Sequence, residues 1–191
     1  MKKYLILGIA LATTVACKNN KTENNEAVTD TQTEVVTTDN DAQKELVVNL
    51  EPKNDATVNG VVTFTEKDGV VHMNFKGSGF EPGEHAIHIH EKADCSSPDG
   101  KSAGGHWNPT SEDHGKWGTS SYHKGDIGNF TADSNGNVIF DFETDEWCIG
   151  CDDETKNIVG KSIIIHDGVD DFVTQPTGDA GSRMSCGAII E

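Results

Sequence analysis

From residue 45 onward, apolar side chains recur at every second position: Val71, Met73 and Phe75 alternate with His72, Asn74 and Lys76, and Val138, Phe140 and Phe142 flank Ile139 and Asp141. A period of two sends successive side chains to opposite faces of an extended strand, so each such segment has one face to bury. The pattern predicts strands at about 45–50, 58–66, 69–76, 84–91, 127–132, 137–143, 161–166 and 184–190. Turn residues such as Lys67-Asp68-Gly69 and Ser134-Asn135-Gly136 separate neighbours, and no segment shows the period of an amphipathic helix. Eight strands of this kind predict an all-β fold, a closed or nearly closed antiparallel barrel or sandwich that leaves no long sheet edge exposed.

Three connections stay long, at about 92–126, 144–160 and 167–183. Loops of that length in a compact domain are functional or need anchoring. The first holds most of the histidines, and the second holds Cys148 and Cys151.

On a strand over 84–91, His88 and His90 share one face while Ile87 and Ile89 take the other. Two imidazoles so placed can reach one metal, although the pair alone is equally a polar strand face. Downstream come His106, His114, His123 and Asp126, and His166 ends the apolar run Ile163-Ile164-Ile165. Three imidazoles and a carboxylate from one loop (His106, His114, His123, Asp126) suit closed, tetrahedral zinc. His88, His90 and His166 with a shared His106 make a nitrogen-rich, open-sided set suited to copper.

The chain begins MKKYLILGIALATTVAC: two lysines, a short apolar run and small residues ending at Cys17. The run is too short to span a bilayer and reads as a cleaved signal over residues 1–16. It resembles a bacterial lipoprotein signal, in which Cys17 becomes the lipidated N-terminus. An ordinary signal, whose cleavage would leave an exposed thiol, is the alternative. Either way the protein is expected to be exported to the cell envelope or periplasm, where disulfides persist. Residues 17–44 read as that cysteine and a tether: 18–42 contain no aromatic residue and cannot bury enough apolar surface to offset their ordering entropy. A flexible coil of that length reaches roughly 25–30 Å, which holds the domain at 45–191 just off a membrane surface. The formal charge of −17 becomes −19 once Lys2 and Lys3 leave with the signal. Such a chain lacks the basic footprint that nucleic acid requires. If the substrate is an anion, its attraction must be local.

Taken together, "HAIHIH", "GGHWNP", "DHGKW", "HKGD" and "GSRMSCGAI" resemble an exported bacterial copper/zinc superoxide dismutase over about residues 45–191. That family is itself a standard instance of the β-sandwich, and the resemblance implies an eight-stranded antiparallel Greek-key barrel or sandwich with long metal-binding and electrostatic loops. The resemblance implies copper held by His88, His90, His106 and His166, and zinc held by His106, His114, His123 and Asp126, with His106 as the imidazolate bridge. It implies dismutation of superoxide to dioxygen and hydrogen peroxide, with Arg183 orienting the anion beside copper through its planar donor fork. By itself Arg183 could equally be a surface arginine. It further implies a Cys95–Cys186 disulfide, and Asp170 as the carboxylate that links the two metal sites by orienting His88 and His114. His85 has the register of a structural histidine, and His72 alternates outward to solvent. Whether the domain forms a homodimer is left open by the sequence.

Cys148-Ile-Gly-Cys151 departs from the family pattern. A second, short-loop disulfide is the leading reading; a redox-active or metal-collecting pair is the alternative. The common glycine two positions before the first copper histidine is Ala86 here. No steering lysine matches by register, which leaves Lys101, Lys116, Lys124 and Lys161 as candidates by composition. The competing function is a non-enzymatic copper-binding or copper-delivery module of the same fold. A zinc hydrolase is disfavoured because the zinc set is already four-coordinate and lacks an open position.

Overall fold

The computed structural model describes residues 43–191, and the signal, Cys17 and the tether up to residue 42 lie outside the described residues. Eight strands follow one another: β1 (Lys44–Pro52), β2 (Asn59–Lys67), β3 (Val70–Ser78), β4 (Gly83–His90), β5 (Gly128–Ala132), β6 (Asn137–Thr144), β7 (Ser162–His166) and β8 (Arg183–Ala188). A single 3-10 turn at Lys101–Ala103 is the sole helical element among the described residues, and periodicity gave no sign of it.

All pairings are antiparallel, in the order β5-β4-β7-β8-β1-β2-β3-β6. β1 joins the two halves, pairing with β2 along Lys44–Leu50 and with β8 at Glu51 and Pro52. The connections β3 to β4, β5 to β6 and β6 to β7 cross between the halves, giving the Greek-key path of a nearly closed barrel.

Register explains the core. Val48, Val62, Phe75 and Phe140 lie opposite one another on four adjacent strands, and Leu46, Phe64, Met73 and Phe142 form the next row two residues away. The intervening row, Val47, Thr63, Asn74 and Asp141, faces outward. A slip of one residue would exchange the two faces, so the apolar pattern pins the pairing.

The other half is buried on both faces. From β4, Ile87 and Ile89 enter the main core, while Ile164 of β7 packs on the opposite side with Ala103 and Cys186, under the 91–127 loop. The Cys95–Cys186 disulfide, with Cα atoms 5.7 Å apart, ties that loop to β8. Its chain-entropy contribution for a separation of 91 residues is at most about 4–5 kcal/mol. A second disulfide, Cys148–Cys151, closes a short ring in the β6–β7 loop. The loop between β4 and β5 thus covers the outer face of this half because it is fastened there.

Candidate metal centre

His88 and His90 project from the outer face of β4 into the space beneath that loop, and His166, the last residue of β7, joins them. His106 enters from the loop through an isolated bridge to His90. Nitrogens of these four histidines lie within 4.8 Å of one another. His106 also belongs to a second group, with His114, His123 and Asp126, equally compact and equally buried. The seven residues that the sequence nominated as metal donors converge on two groups sharing one imidazole.

Hydrogen bonds set which nitrogen each ring turns inward. His88 Nε2 bonds Asp170 Oδ2 at 2.8 Å, His90 Nδ1 donates to the Gly104 carbonyl at 2.9 Å, and His166 Nδ1 to the Gly181 carbonyl at 3.3 Å. Their other nitrogens, His88 Nδ1, His90 Nε2 and His166 Nε2, are buried without a partner, as is His106 Nε2. His106 Nδ1 meets Asp126 Oδ1 at 2.8 Å, so its two ring nitrogens face the two groups. Asp126 also draws His114 Nδ1 to 2.9 Å and His123 Nδ1 to 3.2 Å. Buried lone pairs aimed at one point, with the opposite N–H fixed by an outer acceptor, are the arrangement a metal requires, and the donor types fit copper and zinc.

Asp170 spans both groups, since its Oδ1 accepts from His114 Nε2 at 2.9 Å while Oδ2 takes His88. Asp170 thus contacts one ring from each group. Gly178 has to approach this pair closely: its φ is +69°, and a Cβ there would overlap Asp170 Oδ1 and press on His114 Nε2. Gln175 brackets the His114 backbone, accepting from its N–H and donating to its carbonyl, each at 2.9 Å. No sequence signal singled out Gln175.

Burial disfavours charge on His90 and His166, and with repulsion from neighbouring histidines and Arg183 it pushes both well below the ordinary imidazole value. Burial likewise lowers His106 to about 4. All three stay neutral near pH 7, the form that binds metal. Burial opposes charge on His114 too, but Asp126 and Asp170 outweigh it and raise that ring to about 9. Burial also opposes ionisation of Asp126 and Asp170, yet hydrogen bonds from the surrounding histidines hold both carboxylates far below their ordinary range. The second group is therefore built around an ionised carboxylate, whereas burial keeps His90, His106 and His166 neutral.

Arg183 opens β8 half-buried, its guanidinium donating to the carbonyls of Gly100 and Gly104 at 2.7 Å each. Gly104 is the same carbonyl that holds His90, so the cation is locked beside the four-imidazole group. The glycine carbonyls that make this bracket carry no side-chain signature. Lys124, a steering candidate by composition, instead pairs with Glu146. Lys101 pairs with Asp99 at 3.0 Å, and Lys116 and Lys161 lie over Phe172 and Trp107. His85 bonds the Glu81 carbonyl at 2.8 Å against Phe80 and Phe130, and the exposed His72 meets Glu143 at 3.2 Å, both as expected.

A barrel whose outer face carries two donor sets joined through one imidazole defines a class of two-metal β-proteins. Residues 58–189 match the family model described as copper/zinc superoxide dismutase, and the chain belongs to that family. It is 36% identical over 134 residues to a Cu-Zn superoxide dismutase of Caulobacter vibrioides, covering 68% of this chain and 77% of that one. It is 33% identical over 136 residues to the extracellular Cu-Zn superoxide dismutase of Caenorhabditis elegans, covering 68% and 60%. It is also 34% identical over 142 residues to the human copper chaperone for superoxide dismutase, covering 70% and 48%. The chain thus spans about half to three-fifths of the length of the last two.

Proposed function

We propose that this chain dismutes superoxide, converting two superoxide anions and two protons to dioxygen and hydrogen peroxide. The observation that carries the reading is the pair of inward nitrogens on His106, one toward Asp126 and the other, unpartnered, among His88, His90 and His166. Copper would be held by His88, His90, His106 and His166, and zinc by His106, His114, His123 and Asp126. Bound copper supplies the one-electron couple for both half-reactions, and zinc supplies a fixed positive charge.

The protein's own groups do the rest. Arg183, anchored on Gly100 and Gly104, presents a fixed cation and orients a small anion next to the four-imidazole group. His106 would hold a proton on Nε2, which is buried and unpartnered, and deliver it to the product. Asp126 and the zinc-side donors keep its Nδ1 in place throughout. Asp170 fixes the tautomers of His88 and His114 together.

The relationship to the human copper chaperone favours a second reading, copper delivery without turnover. Against it stand the complete four-histidine set and Arg183. Superoxide decay followed by pulse radiolysis separates the two. The copper- and zinc-loaded protein should approach diffusion-limited turnover, whereas a delivery module would be no faster than the zinc-only protein and would pass copper to an acceptor.

The relatives and the two disulfides support export, and we read residues 1–16 as a signal and Cys17 as the lipidated residue that tethers the domain to a membrane. Cys17→Ala should move the protein from the membrane to the soluble fraction; retention in the membrane would remove the lipid anchor from this account.

A further inference from the structure

The Cys148–Cys151 ring is the motif that the two-metal centre leaves unexplained, and it leads back to that centre from outside. His123 is the zinc-side donor with the least support: among the described residues its ring has no hydrogen-bond acceptor behind it, whereas His114 leans on Asp170. Support reaches His123 through its two neighbours. Tyr122 donates its hydroxyl to Glu146 Oε1 at 2.7 Å, and the Lys124 ammonium bonds Glu146 Oε2. The Lys124 carbonyl accepts the Trp147 indole N–H at 2.9 Å. Three bonds flanking one donor thus end on two consecutive residues of the β6–β7 loop.

Those two residues are themselves immobilised. Trp147 is 1% exposed and meets Phe64, Trp117 and Phe142 at ring-centroid distances of 6.3, 5.6 and 5.1 Å. Directly after it, the disulfide closes the ring, which is fastened to β1 and β2: Lys44 Nζ donates to the Ile149 carbonyl at 2.6 Å, and the Ile149 N–H to Glu66 Oε2 at 2.9 Å. Cys148 also exchanges backbone bonds with Lys156 and Ile158 at 2.9 and 3.1 Å.

We infer that Glu146 and Trp147 are positioning residues for the zinc-side donors, and that the Cys148–Cys151 disulfide fixes the loop that presents them to the backbone on either side of His123. This rests on the reading of His106, His114, His123 and Asp126 as the zinc set. Partners bonded directly to a ligand typically change metal affinity by about 10–100-fold when removed, and supports acting through the neighbours of His123 should fall at the lower end of that range. Glu146→Ala severs the links to Tyr122 and Lys124, and Trp147→Phe removes the N–H together with part of the buried ring. Glu146→Gln retains an acceptor for Tyr122 and should recover part of the effect.

Zinc release into excess chelator from the metal-loaded protein, followed with a colorimetric zinc indicator, tests the inference. Glu146→Ala and Cys148→Ala/Cys151→Ala should each release zinc about tenfold faster than wild type, with Glu146→Gln and Trp147→Phe in between and copper content unchanged. Val62→Ala on β2 serves as a control for general destabilisation; it should lower Tm yet leave zinc release at the wild-type rate. Release at the wild-type rate from Glu146→Ala and the cysteine double variant overturns the inference, as does matching acceleration in Val62→Ala. If wild-type protein takes up no zinc, the donor assignment beneath it falls as well.

Discussion

The two donor groups are built in opposite ways. Three of the four histidines in the all-imidazole group stand on β4 and β7, strands locked on both sides by ladders and backed by Ile87, Ile89, Ile163 and Ile165. All four members of the Asp126 group come from the single connection between β4 and β5. A strand-built set is held by the core whether or not it binds anything. A loop-built set must be held by its own contacts and its ion. The charges differ accordingly: burial keeps His90, His106 and His166 neutral, while the other side is built around the ionised Asp126 carboxylate. One group thus suits an ion that changes charge, and the other an ion that does not.

His106 is the residue where the two constructions meet, and its replacement should have the largest effect. His106→Ala should lower dismutation by about 10³-fold, equivalent to about 4 kcal/mol of transition-state stabilisation. Metal analysis should show zinc lost before copper, since three strand-borne nitrogens remain on the other side. Loss of copper with zinc retained would reverse the contrast. Chelation tests the same point without mutation. Removing both metals should reduce amide protection within residues 106–126 by about 10²-fold, corresponding to local opening easier by about 3 kcal/mol, and leave β4 and β7 nearly unchanged. Equal loss in hydrogen exchange across both regions would mean that the strands give no independent support.

Asp170 touches one ring from each group and so compares them directly. In Asp170→Asn, the amide can accept from one ring but no longer from both. His88 keeps its place on β4, whereas His114 loses a principal restraint on a loop. Zinc affinity should fall about 10–100-fold and copper affinity by less than tenfold, as measured by competition with chelators of known strength. Similar losses at both sites would show that strand placement does not protect His88.

What the sequence revealed follows the same division. Period-two patterning located all eight strands to within about three residues, because on β1, β2, β3 and β6 one face is apolar and the other wet. The candidate donor residues, which the fold gathers into two groups, were legible because metal chemistry admits few side-chain types, and those types stand out even on loops. The brackets were not legible. Gly100 and Gly104 act through carbonyls that every residue carries, and Gln175 and Glu146 are ordinary polar residues until folding brings them to His114 and to the neighbours of His123. Lys124 shows the converse. Its charge suggested steering, but the fold commits it to Glu146.

The mildest test concerns the cation that only one group possesses. Arg183 reaches Gly100 and Gly104 through two separate nitrogens, which fixes its plane beside His90 and leaves the Asp126 group untouched. Lysine at this position would keep the charge but lacks the fork, so it cannot hold both carbonyls and orient an anion together. Arg183→Lys should therefore lower kcat/KM by about tenfold, about 1.4 kcal/mol, with copper and zinc contents unchanged. Its rate should still fall as salt is added, because the local attraction persists in a chain of net charge −17. Arg183→Ala should be slower still and nearly insensitive to salt. If Arg183→Lys matched wild type, charge alone would account for anion capture. If it lost metal instead, the bracket on Gly104 would be a support of the four-imidazole group rather than a device for the substrate.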